Sequence, residues 1–236
     1  MGRMISRRNE FLSGIRAELP ILAGVIPFGM IYGALALGSG ISPEAAQAMS
    51  AVVFAGSAQF VTAQLVGHQT PGFVIVLTVA IVNLRHALYS ASMAPFLKPL
   101  RTSWKWLLAY LLTDEAYAVT ITHYYQKKVN PGPEESGNQH WFFLGAGLAL
   151  WTTWQASTAA GIFLGTVVPS SWGLDFTLAL TFIALVVPIL QSRASLAGAL
   201  AAGVVAVIAY PLPYKLGLVV AAFAGILVGL WVEGKQ

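Results

Sequence analysis

Two short stretches of this chain carry most of the side chains able to do chemistry. Asn83-Leu84-Arg85-His86-Ala87-Leu88-Tyr89-Ser90 lies inside the apolar block Phe73–Met93, and Thr113-Asp114-Glu115 lies near the middle of another, Trp104–Thr122. A guanidinium inside an apolar block costs several kcal/mol unless it is paired or faces water, which makes Arg85 a functional residue by default. On a helix Arg85, Tyr89 and Ser92 share one face, while His86 points elsewhere and is the group suited to exchanging protons near neutral pH. Asp114 and Glu115 project about 100° apart on a helix. One acid is therefore free to pair with Arg85 while the other exchanges protons or holds a substrate ammonium. A third stretch, Phe54-Ala55-Gly56-Ser57-Ala58-Gln59-Phe60, combines small residues with two hydrogen-bonding side chains. Such a composition permits a helix break, whose free N–H and C=O groups suit the carboxylate and ammonium of a solute. Pro27-Phe28-Gly29 invites a break in the first block. The plainer alternatives are small-residue helix packing, Arg85 snorkelling to an interface, and a structural ion pair.

The elements that must hold these groups follow from composition. Of 236 residues, 57% are hydrophobic and 9% charged, with no Cys. An ordinary soluble domain is about a quarter charged, so too little charge exists to cover a water-facing surface. Eight apolar blocks, Leu19–Leu37, Ala45–Val66, Phe73–Met93, Trp104–Thr122, Trp141–Val168, Leu174–Leu190, Leu196–Tyr210 and Leu216–Val232, take up most of the chain. A bilayer crossing needs about 20 apolar residues as a helix, and these blocks lack the alternation of barrel strands. The fold class is an all-α polytopic membrane protein of about seven to eight hydrophobic helices, some broken or re-entrant, in a single membrane domain over residues 1–236. A soluble domain, a disordered chain and a disulfide scaffold are excluded. No H-E-x-x-H, G-x-S-x-G or Walker motif occurs, and His68, His123 and His140 are scattered. No catalytic residue, metal or cofactor is expected. A membrane enzyme using Asp114, Glu115 and His86 lacks a nucleophile.

The first residues match a myristoylation pattern only weakly, and no cleaved signal peptide is expected. Residues 1–18 read as a basic amphipathic segment lying at the interface, cytoplasmic, and feeding the first span. Eight full crossings put eight Lys and Arg on the N-terminal side and four opposite; if the second and sixth blocks do not cross, the count is nine against three. Either count places the N-terminus in the cytoplasm, and explains the net charge of +4 without nucleic acid. Residues 37–54 overlay 164–182, suggesting repeat halves 14–125 and 141–232. Gly29-x-x-x-Gly33, Gly161-x-x-x-Gly165 and Gly225-x-x-x-Gly229 read as helix-packing pairs, Gln155 and Ser157 as polar groups inside the fifth span, and Asp175 as a helix cap.

The stretches Ile26-Pro27-Phe28-Gly29-x-x-x-Gly33, Met49-Ser50 followed by Phe54–Phe60, Asn83-Leu84-Arg85-His86-x-Leu88-Tyr89-x-x-Ser92 and Thr113-Asp114-Glu115 together resemble the AzlC family, the large subunits of bacterial branched-chain amino acid exporters. The resemblance runs from about Gly14 to Leu230 and is weaker in the second half, where Gly173-Leu174-Asp175-Phe176 still matches. It implies a multi-pass protein of the bacterial inner membrane that exports Leu, Ile and Val, with Met at the margin. It also implies a small hydrophobic AzlD-type partner subunit. The expected mechanism is alternating access, driven by protons or by the substrate gradient. Pro27, Phe28, Gly29, Phe54, Gly56, Ser57, Gln59, Phe60, Asn83, Arg85 and Tyr89 would bind substrate, and Asp114, Glu115 and His86 would couple protons. The competing readings are export of another small amphipathic solute and a non-transporting membrane scaffold.

Overall fold

The computed structural model describes residues 6–129, 138–165, 190, 192–213 and 216–234, and the regular structure among them is helical. The helices are α1 (Arg7–Gly38), α2 (Pro43–Val53), α3 (Gly56–Gly67), α4 (Gly72–Leu97), α5 (Thr102–Tyr110), α6 (Asp114–Val129), α7 (Gln139–Gly165), α8 (Arg193–Ile208) and α9 (Leu216–Glu233). Among the described residues α1, α4 and α9 are long and apolar enough to cross a membrane. The chain divides into two compact units, 1–63 with 82–168 and 64–81 with 169–236.

The first unit is organised around α1 and α7, whose contact is the most extensive among the described helices. Small residues bring the two backbones together. A Cβ on Gly14 would strike the Phe142 carbonyl, on Gly145 the Phe11 carbonyl, on Gly33 the Thr158 carbonyl and on Gly161 the Met30 carbonyl. Because residue numbers rise together along both helices, α1 and α7 run parallel. Both Gly29-x-x-x-Gly33 and Gly161-x-x-x-Gly165 lie in this seam, so they act as packing pairs as expected.

One expectation for α1, a break at Pro27, fails. The helix runs unbroken through Pro20 and Pro27, its 32 residues spanning about 48 Å. The segment expected to lie at the interface is, from Arg7 on, the opening of this same helix. Ser6 caps it, and Glu10, Gly14 and Glu18 are buried. Glycine at 14 and 145 makes the close approach to α7 possible there, and His123 and Lys127 of α6 both engage the Glu10 carboxylate.

Two of the expected spans are instead helical hairpins. The block Ala45–Val66 is divided into α2 and α3 at Phe54-Ala55, and Trp104–Thr122 into α5 and α6 at residues 111–113. At 1.5 Å per residue, α2 reaches only about 17 Å, well short of the roughly 30 Å core of a bilayer. From α2, the chain starts beside Tyr32, whose hydroxyl donates to the Ala46 carbonyl, and descends to Phe54, whose ring lies 6.0 Å from Tyr110. It then turns back, bringing Phe60 to 5.8 Å from the Tyr32 ring. The α5–α6 hairpin comes from the other end. Trp104 packs 5.1 Å from Trp141 near the start of α7, Leu111 meets Gly147, and α6 returns until the Tyr124 hydroxyl donates to the Gln139 carbonyl. The two hairpin tips therefore meet at mid-height, where the Tyr110 hydroxyl donates to the Ala51 carbonyl at 2.5 Å. The second block was among those considered broken or re-entrant; the fourth was not. The sixth block, with Asp175, lies outside the described residues apart from its last residue.

This topology moves Lys98, Arg101 and Lys105, which eight full crossings had put opposite the N-terminus, to the end where α1 begins. Arg7 lies over the Trp141 ring, Lys127 reaches Glu10, and Lys98 and Lys105 line one apolar hollow with Phe143. Between Arg16 and Arg85 the sequence holds no Lys or Arg.

In the second unit, α8 and α9 pack antiparallel through small residues. Gly225 faces Ala202 and the Gly198 carbonyl, and Gly217 faces the Ala209 carbonyl. Ser192 and Ser195 form a reciprocal cap at the start of α8.

Overpacking a close helix seam costs about 1–3 kcal/mol. Gly161→Val is expected to lower the thermal stability of the detergent-solubilised protein accordingly. Gly24→Ala, where a Cβ meets nothing within 4 Å, should leave the melting temperature unchanged.

Candidate functional site

The meeting point of the hairpin tips is where the chemistry-bearing residues gather. Phe54, the C-cap of α2, has φ 42° and ψ 45°. That left-handed geometry suits glycine and is strained for a bulky side chain. Packing overrides the preference: the Phe54 ring is buried against Tyr110, and the turn frees the start of α3 at Gly56 and Ser57. A side chain at Gly56 would crowd Trp154 and Phe28, at 3.1 and 3.3 Å. In the second hairpin Thr113 caps α6, its hydroxyl accepting from Ala116 N at 3.4 Å and its carbonyl from Tyr117 N at 2.9 Å. This puts Asp114 and Glu115 in the first turn, where the helix dipole favours acids. They keep their place near the middle of the block, but at a helix N-terminus rather than inside one continuous helix.

Between the two tips Arg85 joins the hairpins. One guanidinium nitrogen lies 2.5 Å from the Asp114 carboxylate, and another donates to the Ser57 hydroxyl at 3.0 Å. The pair is about one third exposed at the side chains. Arg85 Nε and the Asn83 Oδ1 are buried without a hydrogen-bond partner. A small cavity of about 40 Å³ opens here, lined by Val25, Phe28, Phe54–Ser57, Arg85, His86, Thr113–Glu115, Leu150 and Trp154. Of the expected residues it brings together Phe28, Phe54, Gly56, Ser57, Arg85, His86, Asp114 and Glu115. A wider hollow of about 260 Å³ shares Phe54, Ala55 and His86 with it and also takes in Asn83 and Tyr110.

Other expected residues stand one layer back. Gln59 is fully buried and accepts from the Trp154 indole N–H at 3.1 Å; Phe60 packs 4.5 Å from Phe28. Gly29 abuts Ser157 in the α1–α7 seam. Tyr89 stacks on Tyr117 at 4.5 Å, and the Tyr117 hydroxyl donates to Ser92. Pro27 is exposed and does not line the cavity. His86 was expected to point away from Arg85's surroundings, yet its ring lines the same cavity and makes an edge contact with Tyr89 at 5.8 Å. Among the described residues no three His, Asp or Glu side chains assemble as metal ligands.

Trp154 lines the cavity without a signal of its own in the sequence reading. It lies 6.0 Å from Phe28, stacks at 6.1 Å on Tyr32 and walls the cavity. A Trp inside an apolar block must find a partner for its N–H, and Gln59 at membrane depth was the available hint. Gln155, expected only as a polar group, ties α7 to α2: it meets Gln47 at 2.8 Å and donates to the Ser50 carbonyl at 3.1 Å, while Ser50 meets Thr158. Two of the orphan carbonyls at the end of α2, those of Ser50 and Ala51, thus find partners in Gln155 and Tyr110. Chemically, the cavity combines two helix N-termini and a guanidinium, which attract a carboxylate, with two acids and an aromatic wall.

A double-mutant cycle of Arg85→Gln and Asp114→Asn, read by thermal unfolding in detergent, is expected to show a coupling of about 1 kcal/mol, modest because the pair is partly exposed. Strictly additive losses would mean the two side chains do not interact.

The protein-family model described as AzlC protein matches residues 20–168. The chain is 28% identical over 232 residues to an uncharacterized membrane protein of Archaeoglobus fulgidus, covering 96% of this chain and 97% of that protein. It is 27% identical to the inner membrane protein YgaZ of Escherichia coli, covering 94% and 91%. It is also 30% identical to the branched-chain amino acid transport protein AzlC of Bacillus subtilis, covering 76% and 69%. No solved structure matches.

Proposed function

The chain belongs to the AzlC protein family, a family of membrane transport proteins, and from that premise we propose that it exports Leu, Ile and Val, with Met at the margin, by proton-coupled alternating access. The observation that carries the reading is Arg85, held by Asp114 and Ser57 at the meeting point of two helix breaks and opposite an aromatic wall. The substrate carboxylate is received by the free N–H groups at the start of α3 together with Arg85. Its ammonium faces Glu115, and its aliphatic side chain lies against Phe28, Phe54 and Trp154. Gln59, Phe60, Gly29 and Tyr89 position these groups, and Asn83 serves the adjoining hollow. An apolar wall discriminates weakly between aliphatic side chains, because one methylene is worth about 1–3 kcal/mol.

Ligand pockets are about 300–1,000 Å³, so a cavity of about 40 Å³ represents a closed arrangement. Phe54 and His86 line both this cavity and the wider hollow, so movement of either joins the two and opens the site. The strained backbone at Phe54 suits a hinge with two settings. Protons are exchanged at Asp114, Glu115 and His86, which couples the movement to the proton gradient. The basic residues gathered where α1 begins support a cytoplasmic N-terminus in the bacterial inner membrane. A small AzlD-type subunit completes the exporter.

Leucine efflux from cells loaded with a leucine-containing dipeptide, with and without the small partner, tests the assignment. Asp114→Asn and Glu115→Gln are expected to abolish pH-driven export while the protein remains in the membrane. Full transport by both variants removes the proton-coupling role. Efflux independent of the wild-type chain removes branched-chain amino acids as substrate.

A further inference from the structure

Glu18 enters none of the roles above, yet it is the most isolated acid among the described residues. It sits about a third of the way along α1: the residue is fully buried, and neither carboxyl oxygen has a hydrogen-bond partner. The charge that reaches it across the helix interface is that of Glu115, in the first turn of α6. On its own helix, Glu10 two turns earlier is engaged by His123 and Lys127, and Arg16 is exposed. The facing stretch of α7, residues 142–150, contains no titratable side chain. On α6, Thr120 adds another buried hydroxyl without a partner, and Tyr117 is bonded to Ser92. An ionised carboxylate without donors or water is strongly disfavoured, and two neighbouring carboxyls do not readily ionise together. Helix packing does not explain an acid here, since Ala or Leu would fill the seam without a polar group.

We propose that Glu18 is a further proton-binding residue of the transport cycle, paired with Glu115. The inference rests on the proton-coupled reading above and deepens it. A proton leaving the Glu115 carboxyl is taken up by the Glu18 carboxylate and returned by the reverse step, so the pair conserves its charge. Glu115 faces the cavity and Glu18 lies behind it, between the cavity and the Glu10–His123–Lys127 cluster. The pair thus stores a proton out of reach of substrate and solvent while the cavity is occupied.

Infrared difference spectroscopy of the purified full-length protein tests this directly. The wild type is expected to show the carbonyl stretch of a protonated carboxylic acid at neutral pH that is lost in Glu18→Gln. Glu115→Gln should shift the pH at which that band disappears. In cells, Glu18→Gln is expected to retain its membrane level and to lose the pH response of leucine efflux. An acid band unchanged in Glu18→Gln overturns the proposal, as does a wild-type pH profile of efflux. If Glu18→Gln does not fold, Glu115→Gln decides alone: an unshifted band overturns the pairing. The spectra do not depend on substrate. A Glu18 band in a protein that moves no leucine would therefore unseat the substrate assignment and leave the carboxyl pair standing.

Discussion

The close parallel seam between α1 and α7 is the constraint on which the rest of the first unit depends. Helices in lipid gain little from burying apolar surface, so their association rests on van der Waals contact and hydrogen bonds. Glycine at 14, 33, 145 and 161 lets backbone meet backbone, which maximises that contact. The seam also fixes the register of what projects from it. Phe28 and Tyr32 from α1 face Trp154 from α7, and together they form the wall against which α3 packs. Glu18 is carried to the start of α6 by the same geometry.

The hairpins are anchored to this wall, the first by hydrogen bonds and the second by an apolar contact. The α2–α3 hairpin is held through Tyr32 to Ala46, Gln155 to Ser50 and Trp154 to Gln59. The α5–α6 hairpin rests Leu111 on Gly147 and joins the other through Tyr110. A break at depth leaves backbone groups that lipid cannot satisfy, so it persists only where protein side chains or a polar cavity receive them. Here the carbonyl ends of α2 are received by side chains, whereas the N–H ends of α3 and α6 open on the cavity. This division gives the site its polarity.

The interplay of Arg85 with its neighbours shows why position within the fold outweighs residue type. A lone guanidinium between two helix N-termini would face two positive dipole ends. Asp114, placed in the first turn of α6, offsets both the guanidinium and the dipole. Glu115 then remains as the acid that makes no ion pair with Arg85, although the charges of both Asp114 and Arg85 act on it.

Much of this was legible in the residues themselves. A charged fraction of 9% requires a membrane protein, and an Arg and an adjacent acid pair inside apolar blocks locate the site because burying them elsewhere is prohibitive. Gly56 and Ser57 beside Phe54 marked the first break for the same local reason. The second break carries no glycine or proline: Leu111-Leu112-Thr113 reads as continuous helix, and only contact with Gly147 and the Thr113 cap ends α5 there. Pro27 gave the opposite error, since a long helix clamped by α7 runs through it. Glu18 and Trp154 were silent in the sequence because their meaning lies in which helix faces them. Local chemistry determined the class of protein and pointed to the pairing of an acid with Arg85. The tertiary structure alone decided which spans fold back, because that depends on long-range contacts that no window of sequence contains.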